Sequence, residues 1–390
     1  MKILFYSELF IPFVGGNEAY LANVESRIKA LGHETLHVTS KIDNTPKDEI
    51  IKWDGRDIPV HRTWIPFKYN YLTRGRYFFP LNARKISRIA KNFDIIHSTT
   101  FISGISGWKI GKLAKKPCLL YCNELFGDLW KEIGSNWIQK YIYSKVEKYI
   151  VSKYNYFAAC SEYAKKTLIE AGVNPDKITI INHSMSDIFK PGIDGSEFRN
   201  RLGLENNQVF GFTGRLKVNG TGQSKGLLYL LKAAKEVFKE LPDSRLVLGG
   251  TGFGELKPLL KKLGIQDKVI YTGVKPYTEV PKFNAMCDIM VGASITEGFG
   301  IYYAESSACG KAVVATTGGS IPEVIKHKET GLLSEPRDYE TMAKNIIKLL
   351  CDKELADKYG KVGSEYVKKF SWDRSAKEHL ELYDKIIRGE

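Results

Sequence analysis

The chain has 390 residues, 43% of them hydrophobic and 26% charged, which suits two globular cores and is too long for one ordinary domain. No apolar run approaches the roughly 20 residues that span a bilayer, and the apolar start Met1–Val14 carries Lys2 and Glu8 with no small-residue cleavage site, so neither a membrane anchor nor a signal peptide is expected and a cytosolic setting is. The net charge of +14 is uneven, with +10 in residues 1–190 and +4 in the remainder.

In chain order, short apolar runs alternate with helical stretches, the rhythm of parallel sheets with crossover helices. In the first half the expected strands are Lys2–Tyr6, Glu34–Thr39, Asp94–Ser98, Cys118–Cys122, Tyr156–Cys160 and Ile178–Ile181. A helix over Glu18–Leu31 ends at Gly32, a natural stop. The break falls near Asp187–Gly192, where Pro191 and Gly192 among polar residues fit a linker. Beyond it the expected strands are Val209–Thr213, Arg245–Gly249, Val269–Thr272, Ile289–Gly292, Ala312–Thr316 and Gly331–Leu333, with a helix over Leu227–Glu240. The chain therefore reads as α/β, with two Rossmann-like doubly wound domains in tandem. Ligands of such sheets sit at the carboxyl ends of the strands, and two facing domains would hold them in a central cleft.

The six cysteines form no CxxC pair and have no accompanying histidines, so buried free thiols are expected and a zinc site is not. The charge excess is dense from Lys52 to Lys91, where Arg74, Arg76, Arg84, Lys85 and Arg88 lie among Tyr69, Tyr71, Tyr77, Phe78 and Phe79. Nucleic acid, anionic lipid, an acidic substrate and a plain solvated surface all fit such a stretch. No nucleic-acid motif accompanies it, so nucleic acid is not expected as a partner.

The strongest chemical signal is Glu297-Gly298-Phe299-Gly300, followed by Glu305. It comes after an apolar strand, and a helix is expected from near Gly300 to Cys309, stopped by Gly310. Glycines let backbone approach a ligand, and the first N–H groups of the helix can face an anion. The two carboxylates lie about 12 Å apart at helical rise, and each can accept hydrogen bonds from two vicinal hydroxyls. A second constellation is Arg215 at a strand end and Lys225 before a helix, where a diphosphate is held by a planar fork and a mobile point charge. Gly15 and Gly16, between the first strand and the first helix, suit a turn beneath a phosphate. Gly250-Thr251-Gly252-Phe253-Gly254 follows a strand, but Glu255 stands where the dinucleotide fingerprint needs glycine, which excludes that motif.

Together and in this order, these stretches resemble glycosyltransferase family 4, the retaining GT-B enzymes, over nearly the whole chain. Asp94-Ile95-Ile96-His97 and Gly318-Gly319-Ser320-Ile321-Pro322-Glu323 support the likeness. The resemblance implies residues 1–188 as the acceptor domain, 189–370 as the donor domain, and 371–390 as a helix returning to the first domain. It implies Glu297 on the donor sugar beside the backbone of Gly298, Phe299 and Gly300, and Glu305 on the ribose. Arg215 and Lys225 would neutralise the diphosphate, Gly16 would approach it, and Gly250 and the backbone near Val274 and Lys275 would complete the site and meet the base. No metal or other cofactor is implied. Asn123 stands where the family commonly has a catalytic histidine, and it can hydrogen-bond but cannot carry a proton. His183-Ser184-Met185-Ser186 stands where an Asn-Gly-x-Asp is usual.

The expected function is retaining transfer of a sugar from a UDP- or GDP-sugar to a glycan, lipid-linked or small-molecule acceptor. Binding of a nucleotide-sugar without transfer, and epimerisation on the same fold, are the alternatives. The basic, aromatic first half adds an expected transient contact with an anionic membrane, with Trp137–Lys145 as an amphipathic helix lying on it or as a core-facing helix.

Overall fold

The computed structural model describes residues 1–13, 15–41, 44–64, 81–100, 102–134, 136–218 and 220–390. The aromatic and basic stretch from Tyr69 to Phe79 lies outside them. The chain divides into two compact units, one of residues 1–127, 142–184 and 371–390, the other of residues 128–141 and 185–370.

The first unit holds an eight-stranded sheet: β1 (Lys2–Tyr6), β2 (Glu34–Ser40), β3 (Asp48–Trp53), β4 (Arg56–Thr63), β5 (Ile95–Thr99), β6 (Cys118–Cys122), β7 (Tyr156–Ala159) and β8 (Ile178–Ile180), in the order β3-β4-β2-β1-β5-β6-β7-β8. All pairings are parallel except β3 with β4. The central strands are buried along their length, as continuous apolar runs covered on both faces should be. The β3–β4 hairpin is absent from the expected elements. Strand β3 has one exposed face and mixed polarity, so its burial alternates residue by residue. Its sequence signal is Asp54-Gly55, which turns with both residues at positive φ (50° and 72°), the two-residue turn that matches strand twist.

The opening helix of this unit is Gly16–Ala30, two residues longer at its start than expected. It is fastened to the closing helix Trp372–Arg388, whose Ser371 caps Arg374 N–H. Arg27 reaches Asp373 at 2.8 Å, and the buried Tyr20 hydroxyl meets His379 at 2.7 Å. His97, at the middle of β5, bonds Tyr383 at 2.6 Å. The two buried bonds, Tyr20 to His379 and His97 to Tyr383, each add about 1 kcal/mol net and leave a costly orphan if one partner is lost.

The second unit holds a six-stranded parallel sheet: β9 (Val209–Arg215), β10 (Arg245–Thr251), β11 (Val269–Tyr271), β12 (Ile289–Val291), β13 (Val313–Thr316) and β14 (Gly331–Ser334), in the order β11-β10-β9-β12-β13-β14. Counted within the unit this is 3-2-1-4-5-6, the doubly wound order whose direction reverses between the first and fourth strands. That switch point lies between β9 and β12. The core packs the apolar face of the Leu227–Glu240 helix, from Leu227 and Leu230 to Val237, onto Phe210, Leu246, Leu248 and Val291. Among the described residues, no helix is long and apolar enough to cross a membrane.

Candidate active site

In the second unit, the residues singled out by the sequence gather at the carboxyl edge of the sheet. Arg215 ends β9, Gly250 lies near the end of β10, Val274 and Lys275 follow β11, and Glu297 follows β12. Arg215 is exposed, and no hydrogen bond or ion pair engages its side chain among the described residues. Lys225 and Glu297 flank the switch point and touch: Lys225 Nζ lies 2.7 Å from Glu297 Oε1, with side chains 25% and 13% exposed. The Ser294 hydroxyl donates to the same oxygen at 2.7 Å. The signature cation and the signature carboxylate thus hold each other in place, 72 positions apart in the chain.

Backbone geometry makes this contact possible. Gly226 caps the Leu227–Glu240 helix with φ +61°, and its Cα lies so close to Ala293 that an added Cβ would stand 1.8 Å from the Ala293 carbonyl oxygen. Ile295 N–H donates to the Ser224 carbonyl at 2.7 Å, tying the two loops together. Behind Glu297 runs the turn after β13. Gly319 has φ +64° and leaves no room for a side chain against the Glu297 backbone, and Ser320 N–H and Oγ both donate to the Glu297 carbonyl, at 2.9 and 3.0 Å. The motif Gly318-Gly319-Ser320 is therefore a mould for the Glu297 loop.

The helix after Glu297 spans Ile301–Ala308, and Gly310 stops it with φ +73°. It opens on Gly300 (φ +80°) with no side-chain cap, as the Leu227–Glu240 helix opens on Gly226. Two helix N-termini with uncapped N–H groups therefore lie at this edge, each carrying about half a positive charge. Phe299 is buried and packs edge-on to Phe370, 5.0 Å away, which anchors the loop between Gly298 and Gly300.

Glu305, in the second turn of its helix, is buried at 8% exposure and accepts a hydrogen bond from the Tyr277 hydroxyl at 2.6 Å. Burial pushes its carboxyl up to about 7, against the lowering effect of that hydroxyl. Tyr277, held edge-on by Phe189, went unnoticed in the sequence, where nothing links it to a glutamate 28 residues on. Gly250 N–H donates to the Gly273 carbonyl at 2.9 Å, which draws the Val274–Lys275 loop to the end of β10. Val274 is 63% exposed, and the Lys275 ammonium lies over the Phe198 ring.

The folded chain keeps a proton on Glu305 that the unfolded chain releases near 4.5. The stability this group contributes is thus present below about 4.5 and lost as pH rises through about 7. Thermal melts of Glu305→Gln between pH 5 and 8 are expected to fall less steeply with pH than those of the native chain; parallel curves would rule this out.

In the first unit, the opening helix begins at Gly16 on an extended Gly15 (φ −128°), so neither glycine serves a left-handed turn. What Gly15 provides is space, since a Cβ there would stand 2.6 Å from the Glu18 carboxylate. Burial raises Glu18 to about 7, while hydrogen bonds from its own backbone and that of Gly15 oppose the rise. This carboxyl occupies the helix N-terminus that the sequence offered to a phosphate. The sign that marks it is a Glu three residues past the cap, half of a capping box. Asn123 follows β6, its Oδ1 accepting from His183 Nε2 at 2.7 Å and its Nδ2 donating to Asn17 at 3.1 Å. Burial holds His183 down at about 3, so it stays neutral and orients the amide. His183 thus has a definite task beside Asn123, which the sequence alone did not disclose.

Comparison with known proteins identifies the fold and the family. Residues 14–185 match the model of Glycosyltransferase Family 4, and residues 195–366 match that of Glycosyl transferases group 1. A D-inositol 3-phosphate glycosyltransferase of Corynebacterium jeikeium is 27% identical over 310 residues, covering 76% of this chain and 73% of that protein. An uncharacterised glycosyltransferase of Methanocaldococcus jannaschii is 25% identical over 407 residues, covering 99% of both. Among solved structures, sucrose-phosphate synthase from Thermosynechococcus elongatus superposes with a TM-score of 0.83 at 21% identity, over the whole of both chains. Anabaena HepE, solved with UDP-glucose, gives 0.77 at 20% identity over 98% of both. The fold of two parallel-sheet α/β units is GT-B, and the chain belongs to glycosyltransferase family 4.

Proposed function

We propose that the chain transfers a hexosyl group from a UDP-sugar to an acceptor with retention of anomeric configuration and without a metal ion. The observation that carries this is the Lys225–Glu297 contact at the switch point of the second sheet, beside Arg215 and two uncapped helix N-termini. A leaving nucleoside diphosphate gains charge as its bond to the sugar breaks. Arg215, Lys225 and the helix ends stabilise that charge directly, the task a metal performs elsewhere. When the diphosphate draws Lys225, the Glu297 carboxylate is released to accept hydrogen bonds from donor-sugar hydroxyls, beside the backbone of Gly298, Phe299 and Gly300. Glu305 takes the ribose hydroxyls, and the Val274–Lys275 backbone meets the base. On the first unit, Asn123 binds a sugar hydroxyl. The leaving phosphate takes the acceptor's proton on the same face, so no protein nucleophile is used.

Uridine is preferred over guanosine because HepE has been solved with UDP and with UDP-glucose. In a thermal-shift panel of UDP, GDP, ADP and their sugars, UDP compounds are expected to raise the melting temperature most, since a ligand bound to the folded state stabilises it. An equal response to all three, or to none, would refute the donor assignment.

Binding without transfer is favoured by one observation, that Asn123 and the neutral His183 offer no proton carrier. It requires that acceptor never accelerate UDP release. The exposed Trp137, Ile138, Tyr141, Ile142 and Tyr149 on the helix Trp137–Val151 support a transient contact with an anionic membrane at the cytosolic face, through which a lipid-linked acceptor would be reached.

A further inference from the structure

At the amino ends of β6 and β7, opposite the edge that carries Asn123, the first unit has a concavity of about 290 Å³. Four lysines line it: Lys112 from the last turn of the helix Ile102–Ala114, Lys115 and Lys116 just beyond it, and Lys153 after the helix Trp137–Val151. None of its eleven lining residues is acidic. Among the described residues, none of the four ammonium groups has an ion-pair partner. Two of them converge on one ring, since Lys112 Nζ and Lys153 Nζ lie 5.6 and 5.7 Å from the Trp108 centroid. Lys115 is held at φ +56°, a helix-ending conformation that glycine adopts without strain and lysine does not.

Lysines at helix ends have an ordinary use, because a helix C-terminus carries about half a negative charge. Two helices end here and so offset about one positive charge of four. The surplus faces a concavity with no carboxylate, and such a surplus is stable when an anion fills it. The volume is at the lower end for ligand pockets, too small for a nucleotide-sugar and sufficient for a phosphoryl group with a small substituent. Lysines bind phosphate as point charges without demanding one geometry.

We infer that Lys112, Lys115, Lys116 and Lys153 form a second anion site, for a phosphoryl group, at the end of the first sheet remote from Asn123. A free phosphorylated compound and the headgroup of an anionic lipid share this chemistry. The inference does not depend on the donor assignment, because it uses none of the same residues.

The test is calorimetric titration of the full chain with inorganic pyrophosphate at low ionic strength. In Arg215→Gln/Lys225→Gln, which removes the proposed donor cations, pyrophosphate binding is expected to persist. Adding Lys112→Gln/Lys153→Gln is expected to weaken it at least tenfold, with the native circular dichroism retained. Absence of binding in the first variant, or unchanged binding in the second, would overturn the site. Sedimentation with phosphatidylglycerol and phosphatidylcholine vesicles identifies the source. Binding to the anionic vesicles that falls with Lys112→Gln/Lys153→Gln assigns the site to a lipid headgroup. Vesicle binding that is absent or unaffected, with pyrophosphate binding lost, assigns it to a free phosphoryl compound.

Discussion

Lys225→Ala is expected to lower the turnover of sugar transfer by about two to three orders of magnitude, the usual cost of deleting one preorganised charge stabiliser. Glu297→Gln is expected to lose a similar factor, because the amide carries no negative charge and replaces one acceptor oxygen with an NH2 donor. Both variants should keep the native circular dichroism. Neither will be thermally silent, since Lys225 and Glu297 are largely buried against each other at 2.7 Å. Removing the lysine leaves the carboxylate with the Ser294 hydroxyl, at a cost of about 1–2 kcal/mol. In the Glu297→Gln background the same lysine substitution should cost less, by a coupling of at least about 0.5 kcal/mol. Initial rates with labelled donor and a double-mutant cycle of melting temperatures check both halves. Full activity in either single variant would sink the assignment of these two groups to the donor.

Gly226→Ala should be among the most destabilising single substitutions in the second unit. The backbone at φ +61° strains any L side chain, and the new methyl would stand 1.8 Å from the Ala293 carbonyl oxygen, inside van der Waals contact with backbone. A loss of about 3 kcal/mol or more is expected, equivalent to roughly 6–12 °C for a domain of this size. The loops around Lys225 and Glu297 must part to make room, so transfer should fall together with stability. Gly254→Ala is the control. It has nothing within 4 Å of an added Cβ and no positive φ, and it should melt within about 1 °C of the native chain. Indistinguishable melts for the two variants would contradict the tight approach at Gly226.

The strand pattern was legible because buried parallel strands are written as continuous apolar runs. Lys2–Tyr6 and Cys118–Cys122 match residue for residue, and Leu227–Glu240 is found as a helix with the expected ends. The hairpin of β3 and β4 escaped because an edge strand with one wet face lacks such a run, although Asp54-Gly55 spelled out its turn. No compositional signal marks residues 128–141 as part of the second unit, because that grouping depends on contacts with residues remote in sequence.

For the site, residue type and spacing by themselves singled out Arg215, Lys225, Glu297, Glu305 and Gly300, which the fold sets in the loops and helix starts of the second sheet. Those features are local, encoded in a strand end, a turn and the first turn of a helix. Only the tertiary structure decided what each group touches. It paired Lys225 with Glu297, set Tyr277 on Glu305, placed Glu18 at the N-terminus offered to a phosphate, and gave His183 the task of holding Asn123. Each of these joins the carboxyl ends of different strands or buries a titratable group. Strand order and burial arise from packing across the whole unit, which a run of neighbouring residues does not contain.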